Sequence, residues 1–472
     1  MTLTETTDGL PVTGDPQLED WLDGHDISIV RVEGMALDPL SLGKQLHRSK
    51  FTGSLPRGPA VTEFVFGYDL GGTPSLGFWG DWRPSNLGDV HLRPDPTTIA
   101  PVPERPGWAS CMADFTDTSG RPLPLCGRTL VRDLAGRLAD RGYSSRFAFE
   151  LEGQLFEESF TEARRRNWQG LTPVGVQAPV AYLHQNHHRM APFFEVVCRR
   201  LDEMGIAWEA WNDEAAPGQF ELNLAPVDPV TAADRLVRTR EVLKEVAHEQ
   251  GRSVTFMPRV TEEYGNGLHV HHSLADLDTG EPVFFDPRAD GNRSRILDHW
   301  IGGLMATMAG AVSLLSPTIN SYRRLQGFLA APTHLTWAGD NKSTALRVLT
   351  ASPGATRVEH RVAGGDAHPY YMIAAVLAGG LAGLEHSLEP PPAHEGLAWG
   401  LPDRFEALPV SITTAADALA ADALLREQLG SEVIDYWIGS RRFEWLMFHT
   451  TGGDAEATAP TPWEMSRYFE LL

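Results

Sequence analysis

Several short stretches place ionisable side chains at alternate positions, the spacing that puts them on one face of a β-strand. "FELE" pairs Glu150 with Glu152, and "RVEHR" aligns Arg357, Glu359 and Arg361. "GNGLHVHHSL" sets His269 and His271 on one face behind a Gly-rich turn and leaves His272 on the other. "DEAAPGQFELN" adds Glu214 and Glu221. Strands of one sheet lie about 4.8 Å apart, so such faces would gather more like charge than a core tolerates. Buried carboxylates destabilise by several kcal/mol each unless arginine or a metal neutralises them. Oxygen ligands with one imidazole suit Mg2+ or Mn2+ better than zinc. Paired imidazoles also fit a phosphate contact or a proton transfer, and alternating glutamates also occur on solvated strand faces.

Anion-binding candidates lie further along. "NSYRRLQGF" carries Arg323 and Arg324, and "GDNKSTALR" carries Lys342 and Arg347. Cations beside divalent-metal ligands are what phosphoryl transfer needs, because its transition state spreads negative charge over phosphate oxygens. No GxxxxGK[ST] motif is present, which excludes a P-loop.

The elements that must position these residues are legible in outline. Residues 1–16 read as a disordered tail. From 17 to 120, short apolar runs such as "ISIVRVEGM", "TEFVFGYDL" and "DVHLRPDP" read as a small strand-rich domain. Leu130, Val131, Leu134 and Leu138 give helical periodicity over 127–142, and an alternating strand follows over 145–157. Residues 208–226 read as strand broken at Pro217-Gly218. A helix follows, with Thr231 as expected N-cap and Gly251 at its end. "SVTFMP" (253–258) reads as the next strand. The apolar runs 301–315 and 370–384 are Gly/Ala-rich and shorter than the roughly 20 residues of a membrane span, so both read as tightly packed internal helices.

A chain of 472 residues predicts two domains. Its net charge of −22 argues against nucleic acid and anionic membrane surfaces. Cys111, Cys126 and Cys198 form no CxxC pair, and the N-terminus has no secretory pattern, so a cytoplasmic protein is expected.

Taken in order, these stretches resemble the glutamine synthetase superfamily, from "FELE" through "EAAPGQFELN", "GNGLHVHHSL", "NSYRRL", "DNKSTALR" and "RVEHR" to the ending "PTPWEMSRYFELL". The resemblance implies an α+β fold. An N-terminal β-grasp domain (17–120) would precede a large catalytic domain (124–472), whose curved antiparallel sheet forms a half-barrel funnel flanked by helices. It implies ATP, two or three Mg2+ or Mn2+ ions per site, and a homo-oligomer built as a six-membered ring or a dodecamer.

Carried over by position, Glu152, Glu214 and Glu221 match the ligands of one metal, and Glu150, His269 and Glu359 those of a second. Glu209 and His271 match positions near ATP, and Lys342, Arg347 and Arg357 its phosphate side. Arg324 resembles the clamp on the glutamate α-carboxylate, and Arg361 the arginine facing the reacting carboxyl. Tyr264 and Gly265 fall where the amino acid is read. Asp69 resembles an aspartate that reaches a neighbouring subunit's site.

Departures matter equally. Ala330 stands where a glutamine synthetase has its flap glutamate, which helps bind and deprotonate ammonium. Tyr264 and Asn212 replace an asparagine and a histidine, Asn266 a serine, and Lys342 an arginine. These imply an ATP-dependent amide ligase that activates a carboxylate, expected to be the γ-carboxylate of glutamate, as an acyl phosphate. The nucleophile would be an amine or other nitrogen compound rather than ammonia. A weakly basic amine suits a flap without its acid; a strongly basic one would need another acid, for which Asp213 and Asp69 are candidates. An ammonia-using enzyme with an altered flap and a non-catalytic relative are the alternatives.

Overall fold

The computed structural model describes residues 16–74, 88–176, 178–262, 264–326, 330–401 and 405–472. The expected tail lies outside them except for Pro16, which already begins a helix, Pro16–Gly24.

Two sheets organise the chain. The first holds β1 (Ile29–Met35), β2 (Ser41–His47), β3 (Ala60–Thr62), β4 (Asp89–Pro94), β5 (Ala100–Pro101) and β6 (Trp108–Thr116). Its order is β2-β1-β6-β4-β3, with β5 on β6, and β1 runs parallel to β6. "TEFVFGYDL" contributes little strand: after β3 the chain coils into a 3-10 turn at Glu63–Phe66, capped by the Thr62 side chain.

The second sheet holds β7 (Tyr143–Phe156), β8 (Trp208–Asp213), β9 (Gln219–Val227), β10 (Ser253–Thr255), β11 (Leu268–Asp276), β12 (Trp337–Gly339), β13 (Leu346–Leu349) and β14 (Arg357–His360). Its order is β12-β13-β14-β11-β7-β9-β8, with β10 on β7. The expected antiparallel pairing holds throughout except for β12 with β13, which is parallel. One face is apolar. Phe147, Phe149 and Leu151 of the long central β7 are buried there. His272 joins that side, stacked on Phe147 and accepting a 2.9 Å hydrogen bond from Trp300 Nε1. Burial pushes its imidazole down to about 3, so it is a neutral core histidine.

The two apolar runs are the packed helices Arg295–Leu315 and Pro369–His386. A β-carbon on Gly303 would lie 2.1 Å from the Gly379 carbonyl oxygen, so the backbones touch and only glycine fits. No helix of the described residues is long and apolar enough to cross a membrane.

Two local expectations are corrected. The helix after β9 starts earlier, at Pro229, and Asp228 caps it by accepting from Thr231 N; Asp-Pro outcompetes Thr231, which sits inside the first turn. The strand expected over 253–258 ends at Thr255. Beyond it the Met257 and Pro258 carbonyls accept from Asn266 Nδ2 and N, which builds the turn into β11.

A buried ionic clasp ties the sheets together. Arg128, on the helix Gly127–Ala139, donates to Asp234 through Nε and Nη2, to Asp114 through Nη1 (3.1 Å) and to Asp95 through Nη2 (2.8 Å). Tyr370 donates to Asp234 at 2.5 Å.

Candidate active site

Strand register explains the site. His269 pairs with Glu150, Glu152 with Glu221, and His271 with Glu359, so these side chains project from one face of four adjacent strands. Glu214 follows the end of β8, two residues past Asn212, which pairs with Glu221. Two bulges interrupt the ladder, between β7 and β9 at Phe147/Phe149 and between β8 and β9 at Trp208/Ala210. The second re-aims Glu209.

Glu150 sits at the centre. Its two oxygens hydrogen-bond His269 Nδ1 and His271 Nε2, each at 2.9 Å. Against the effect of burial, the two imidazoles hold this carboxyl well below the usual range. Arg357 Nε donates to His271 Nδ1 at 3.2 Å, which leaves Nε2–H to face Glu150. Glu152 accepts from Gly267 N (2.7 Å) and Gln219 Nε2 (3.0 Å), and its other oxygen lies 3.8 Å from His269 Nε2. Glu359 is fully buried, held by Arg361 on one oxygen and by Arg347 Nη1 (2.9 Å) on the other.

The remaining carboxylates are under-compensated. Burial and the charge of Glu152 push Glu214 up to about 7. Burial, then Glu150 and Glu152, push Glu221 up to about 9. A site that forces its acids to keep protons at neutral pH is one that a divalent cation would relieve. Ligand atoms of Glu150, Glu221 and His269 lie within 4.8 Å of one another, as do those of Glu150, His271 and Glu359. The donor set therefore fits metal binding, although this grouping cuts across the two sets expected from the sequence. Gly267 supports the fit: a β-carbon there would sit 2.8 Å from Arg324 Nη2, 3.1 Å from His269 Nε2 and 3.3 Å from Glu152 Oε1.

Beside the cluster opens a cleft of ≈ 520 Å³, lined by Glu150, Glu209, His271, Ala355 and Arg357 among others. Its size suits a nucleotide. Lys342 is exposed, and its charge opposes the protonation of Glu214. Arg324 is buried and donates to the Val362 (2.9 Å) and Arg361 (3.2 Å) carbonyls; burial pushes it down to about 10. Gly265 accepts from Gln219 Nε2, and a β-carbon on it would lie 2.2 Å from the Pro258 carbonyl oxygen. Tyr264 is half-buried just before it.

Three expected residues are used elsewhere. Arg323 is taken up by Glu464 and by the Asp454 and Ala457 carbonyls. Asp69 does not reach outward. Its carboxylate is buried against Arg467 Nη2 (2.7 Å) and accepts from Gly71 N and Thr73 N, so it closes its own loop. Asp213 is fully buried and accepts from Leu183 N and Asn186 Nδ2, so it offers no free acid to a cationic amine. Of the flap, residues 327–329 lie outside the described residues; Ala330 is exposed with φ 60°.

Sequence reasoning missed Gln219, Gly267 and Tyr182. Gly267 carried a signal, as the second glycine of the turn before β11. Tyr182 carried none, since it lies in an aperiodic loop. Partial burial, then the charges of Glu214 and Glu221, push its phenol up to about 12.

The family profile "Glutamine synthetase, catalytic domain" matches residues 124–468. A glutamate–isopropylamine ligase of Pseudomonas sp is 29% identical over 97% of this chain and 98% of its own length. The gamma-glutamylethanolamide synthetase GlnA4 of Streptomyces coelicolor is 32% identical over 82% of this chain and 80% of its own. A gamma-glutamylanilide synthase of Acinetobacter sp is 31% identical over 96% and 94%. Among solved structures, a GmaS/ADP complex matches with a TM-score of 0.80 at 25% identity, covering 95% of this chain and 98% of that one. The fold, the cluster of acids and histidines beside a nucleotide-sized cleft, and these relatives place the chain in the glutamine synthetase family.

Proposed function

We propose that this chain is an ATP-dependent ligase that joins the γ-carboxylate of glutamate to an amine other than ammonia. One observation carries the reading: Glu150, Glu152, Glu221, His269 and Glu359 converge on one face of four neighbouring strands, with Glu214 at its edge. Ala330 in place of the flap acid, and relatives named for isopropylamine, ethanolamide and anilide chemistry, favour an amine over ammonia.

Each residue then has a task. Glu209, His271 and Arg357 line the nucleotide cleft, with His271 held by Arg357 and Glu150. Arg347, Arg357 and Lys342 supply positive charge toward the transferring phosphoryl group. Arg324, Tyr264, Gly265 and Arg361 form the amino-acid side, where Arg361 faces the carboxyl that becomes an acyl phosphate. Glu150, Glu152, Glu214, Glu221, His269 and Glu359 would hold two or three Mg2+ or Mn2+ ions. Bound there, such ions supply Lewis-acid neutralisation of phosphate charge. With Asp69 and Asp213 both committed, neither offers the acid that a strongly basic amine would need, which favours a weak base of the kind in one relative's anilide over the alkylamine named for another. We further assign the first sheet to a β-grasp domain and the second to a half-barrel funnel, assembled as a six- or twelve-membered homo-oligomer.

Incubating the protein with ATP, Mg2+ or Mn2+, glutamate and amines of graded pKa tests this. Phosphate release with a matching γ-glutamylamide mass supports it. Turnover with ammonia alone, or silence with every amine from folded, metal-binding protein, overturns it. A preference for strongly basic diamines overturns the weak-base assignment alone.

A further inference from the structure

The two arginines of the amino-acid side stand on different elements, and one buried aspartate ties those elements together. Arg324 ends the one-turn helix Ser321–Arg324, and Arg361 directly follows β14. From Arg361 the chain runs through a fully buried crossover, 361–368, into the helix Pro369–His386. Asp366 lies in this crossover and is 1% exposed. Its Oδ2 accepts from Thr318 Oγ1 at 2.7 Å and from Ser321 Oγ at 2.6 Å. The same two hydroxyls lock the entry to the short helix, because Thr318 N donates to Ser321 Oγ at 3.0 Å and Ser321 N to Thr318 Oγ1 at 3.3 Å. From the helix's other end Arg324 returns to the crossover through its bonds to the Val362 and Arg361 carbonyls. Helix and crossover are thus joined twice, at Asp366 and at those two carbonyls, in a closed ring.

The ring is also held from outside. Arg240, on the helix Pro229–Glu249, donates to the Gly365 carbonyl at 2.6 Å and to the Ala367 carbonyl at 3.0 Å, one on each side of Asp366. Gly365 N donates to the Asn266 carbonyl at 3.0 Å and Leu268 N to the Ala363 carbonyl at 2.9 Å, which fastens the crossover to the start of β11. A β-carbon on Gly364 would lie 2.5 Å from Asp366 Oδ1, so the carboxylate folds back against its own backbone. Burial raises the Asp366 carboxyl above its ordinary value, and the two hydroxyls, then Arg240, oppose that shift. Asp366 lines no part of the nucleotide cleft, and the described residues give it no place in a metal-binding group. Keeping an acid buried there costs stability unless its bonds are made, so its function lies in what those bonds hold.

We propose that Asp366, Thr318 and Ser321 are positioning residues that fix the span between the Arg324 and Arg361 side chains, and that this span selects glutamate over acids one methylene shorter or longer. The inference rests on the amino-acid side assigned to those arginines in the ligase reading. One arginine holds the α-carboxylate and the other faces the carboxyl to be activated, so together they gauge the distance between the two ends of the acid. A methylene fewer or more displaces the far carboxyl by about 1 Å, a misplacement worth roughly a hundredfold in rate when both ends are rigidly held. A loosened brace lets the arginines follow the shorter or longer acid. Discrimination then falls toward the roughly tenfold that a methylene's own packing provides. No proton or phosphoryl group passes through Asp366; its contribution is geometric.

The test measures kcat and KM for L-glutamate, L-aspartate and L-2-aminoadipate, with ATP and an amine that the parent protein uses, in Asp366→Ala, Ser321→Ala, Thr318→Val and Thr318→Ser. Asp366→Ala is the direct variant. Ser321→Ala removes one bond to the same oxygen with little change in volume, and it carries the test if Asp366→Ala does not fold. Each of these two, and Thr318→Val, is expected to raise KM for glutamate about tenfold and to lower the preference for glutamate over both homologues about tenfold. KM for ATP stays within about twofold. Thr318→Ser, which keeps the hydroxyl, retains the parent preference. Unchanged preference in Ser321→Ala and Thr318→Val overturns the inference. So does an equal loss of kcat/KM for all three acids, a matching rise in KM for ATP, a Thr318→Ser variant as unselective as Thr318→Val, or a parent that uses aspartate as well as glutamate. These outcomes leave the ligase reading standing. A parent protein that turns over no amine with glutamate overturns that reading and this inference together.

Discussion

Among the described residues, two buried clusters of carboxylates respond to burial with opposite results. In the clasp between the sheets, Asp95 and Asp114 face Arg128, with Arg132 on Asp114 as well. Despite desolvation, the guanidinium charges hold both acids below their ordinary values. In the candidate active site, Glu214 and Glu221 face other glutamates, and burial drives them up. The clasp is electrostatically closed and needs nothing further. The acidic cluster has more negative charge than its own residues compensate, which is the condition under which an external cation binds.

The sharpest way to break this contrast is to remove one acid from the open cluster. Glu221→Gln should lower turnover by about a thousandfold or more, since the cation it would share stabilises phosphoryl charge in the transition state. The same change should leave the metal-free protein at least as stable as the parent, because the fold no longer has to hold a proton on Glu221 at neutral pH. Turnover and thermal melting with and without Mn2+ measure both. A large loss of metal-free stability would show that Glu221 is a structural acid after all.

The converse applies to the clasp. Arg128→Met should destabilise the fold by roughly 3–5 kcal/mol, because Asp114 and Asp234 would be left buried with too little positive charge. Denaturant titration reads this. Activity per folded molecule should survive, since no clasp residue lines the cleft.

Much of the contrast was legible in the sequence, and the missing part has a physical reason. Alternation reports which face a side chain takes, so Glu150, Glu152, His269, His271 and the opposite-facing His272 were all readable. The register that brings Glu359 opposite His271 depends on pairing across almost ninety positions of chain and was supplied only by the family resemblance. Carboxylates in loops and at strand ends were the weak point. Asp69 and Asp213 look free along the chain, yet each is consumed by a partner fixed only in three dimensions, Arg467 for one and Asn186 for the other. Arg323 and Arg324 are adjacent and chemically identical, yet one binds Glu464 and the other turns beside Glu152 and Gly267. Local pattern carries no information that separates them. The Asp228 cap was missed for a milder reason, two capping residues competing for one helix start.

Acidity distinguishes the clusters a third way. Glu214 and Glu221 have folded-state values raised above the unfolded one, so their contribution to stability is full below about pH 4.5 and is lost as pH rises through about 7 and 9. Glu150 has the opposite shift, and its contribution is lost only on the acid side. Between about pH 7 and pH 8 the metal-free protein should therefore lose melting temperature; below about pH 6.5 buried neutral histidines such as His272, pushed down to about 3, act in the opposite sense. Excess Mg2+ or Mn2+ should flatten that slope, because metal replaces the retained protons. In Glu221→Gln the metal-free slope should itself be shallower. Arg128→Met should keep the parent slope over this window, since the clasp acids titrate below it.

The smallest effect comes from the rim. Lys342 is exposed, and its positive charge favours the ionised form of Glu214. Lys342→Ala should raise the proton affinity of Glu214 and, because a divalent cation feels the lost positive charge more than a proton does, tighten metal binding by roughly two- to fivefold, the range set by an exposed charge in water. Because the pair is solvent-accessible on one side, the difference should shrink as salt rises from about 0.05 to 0.5 M. It should be largest above about pH 8, where no proton competes with the metal at Glu214. Calorimetric Mn2+ titration across salt and pH measures both trends. A salt-independent change would mean that Lys342 acts through packing rather than charge, and the open cluster would then extend to the rim as a built structure instead of ending at Glu214.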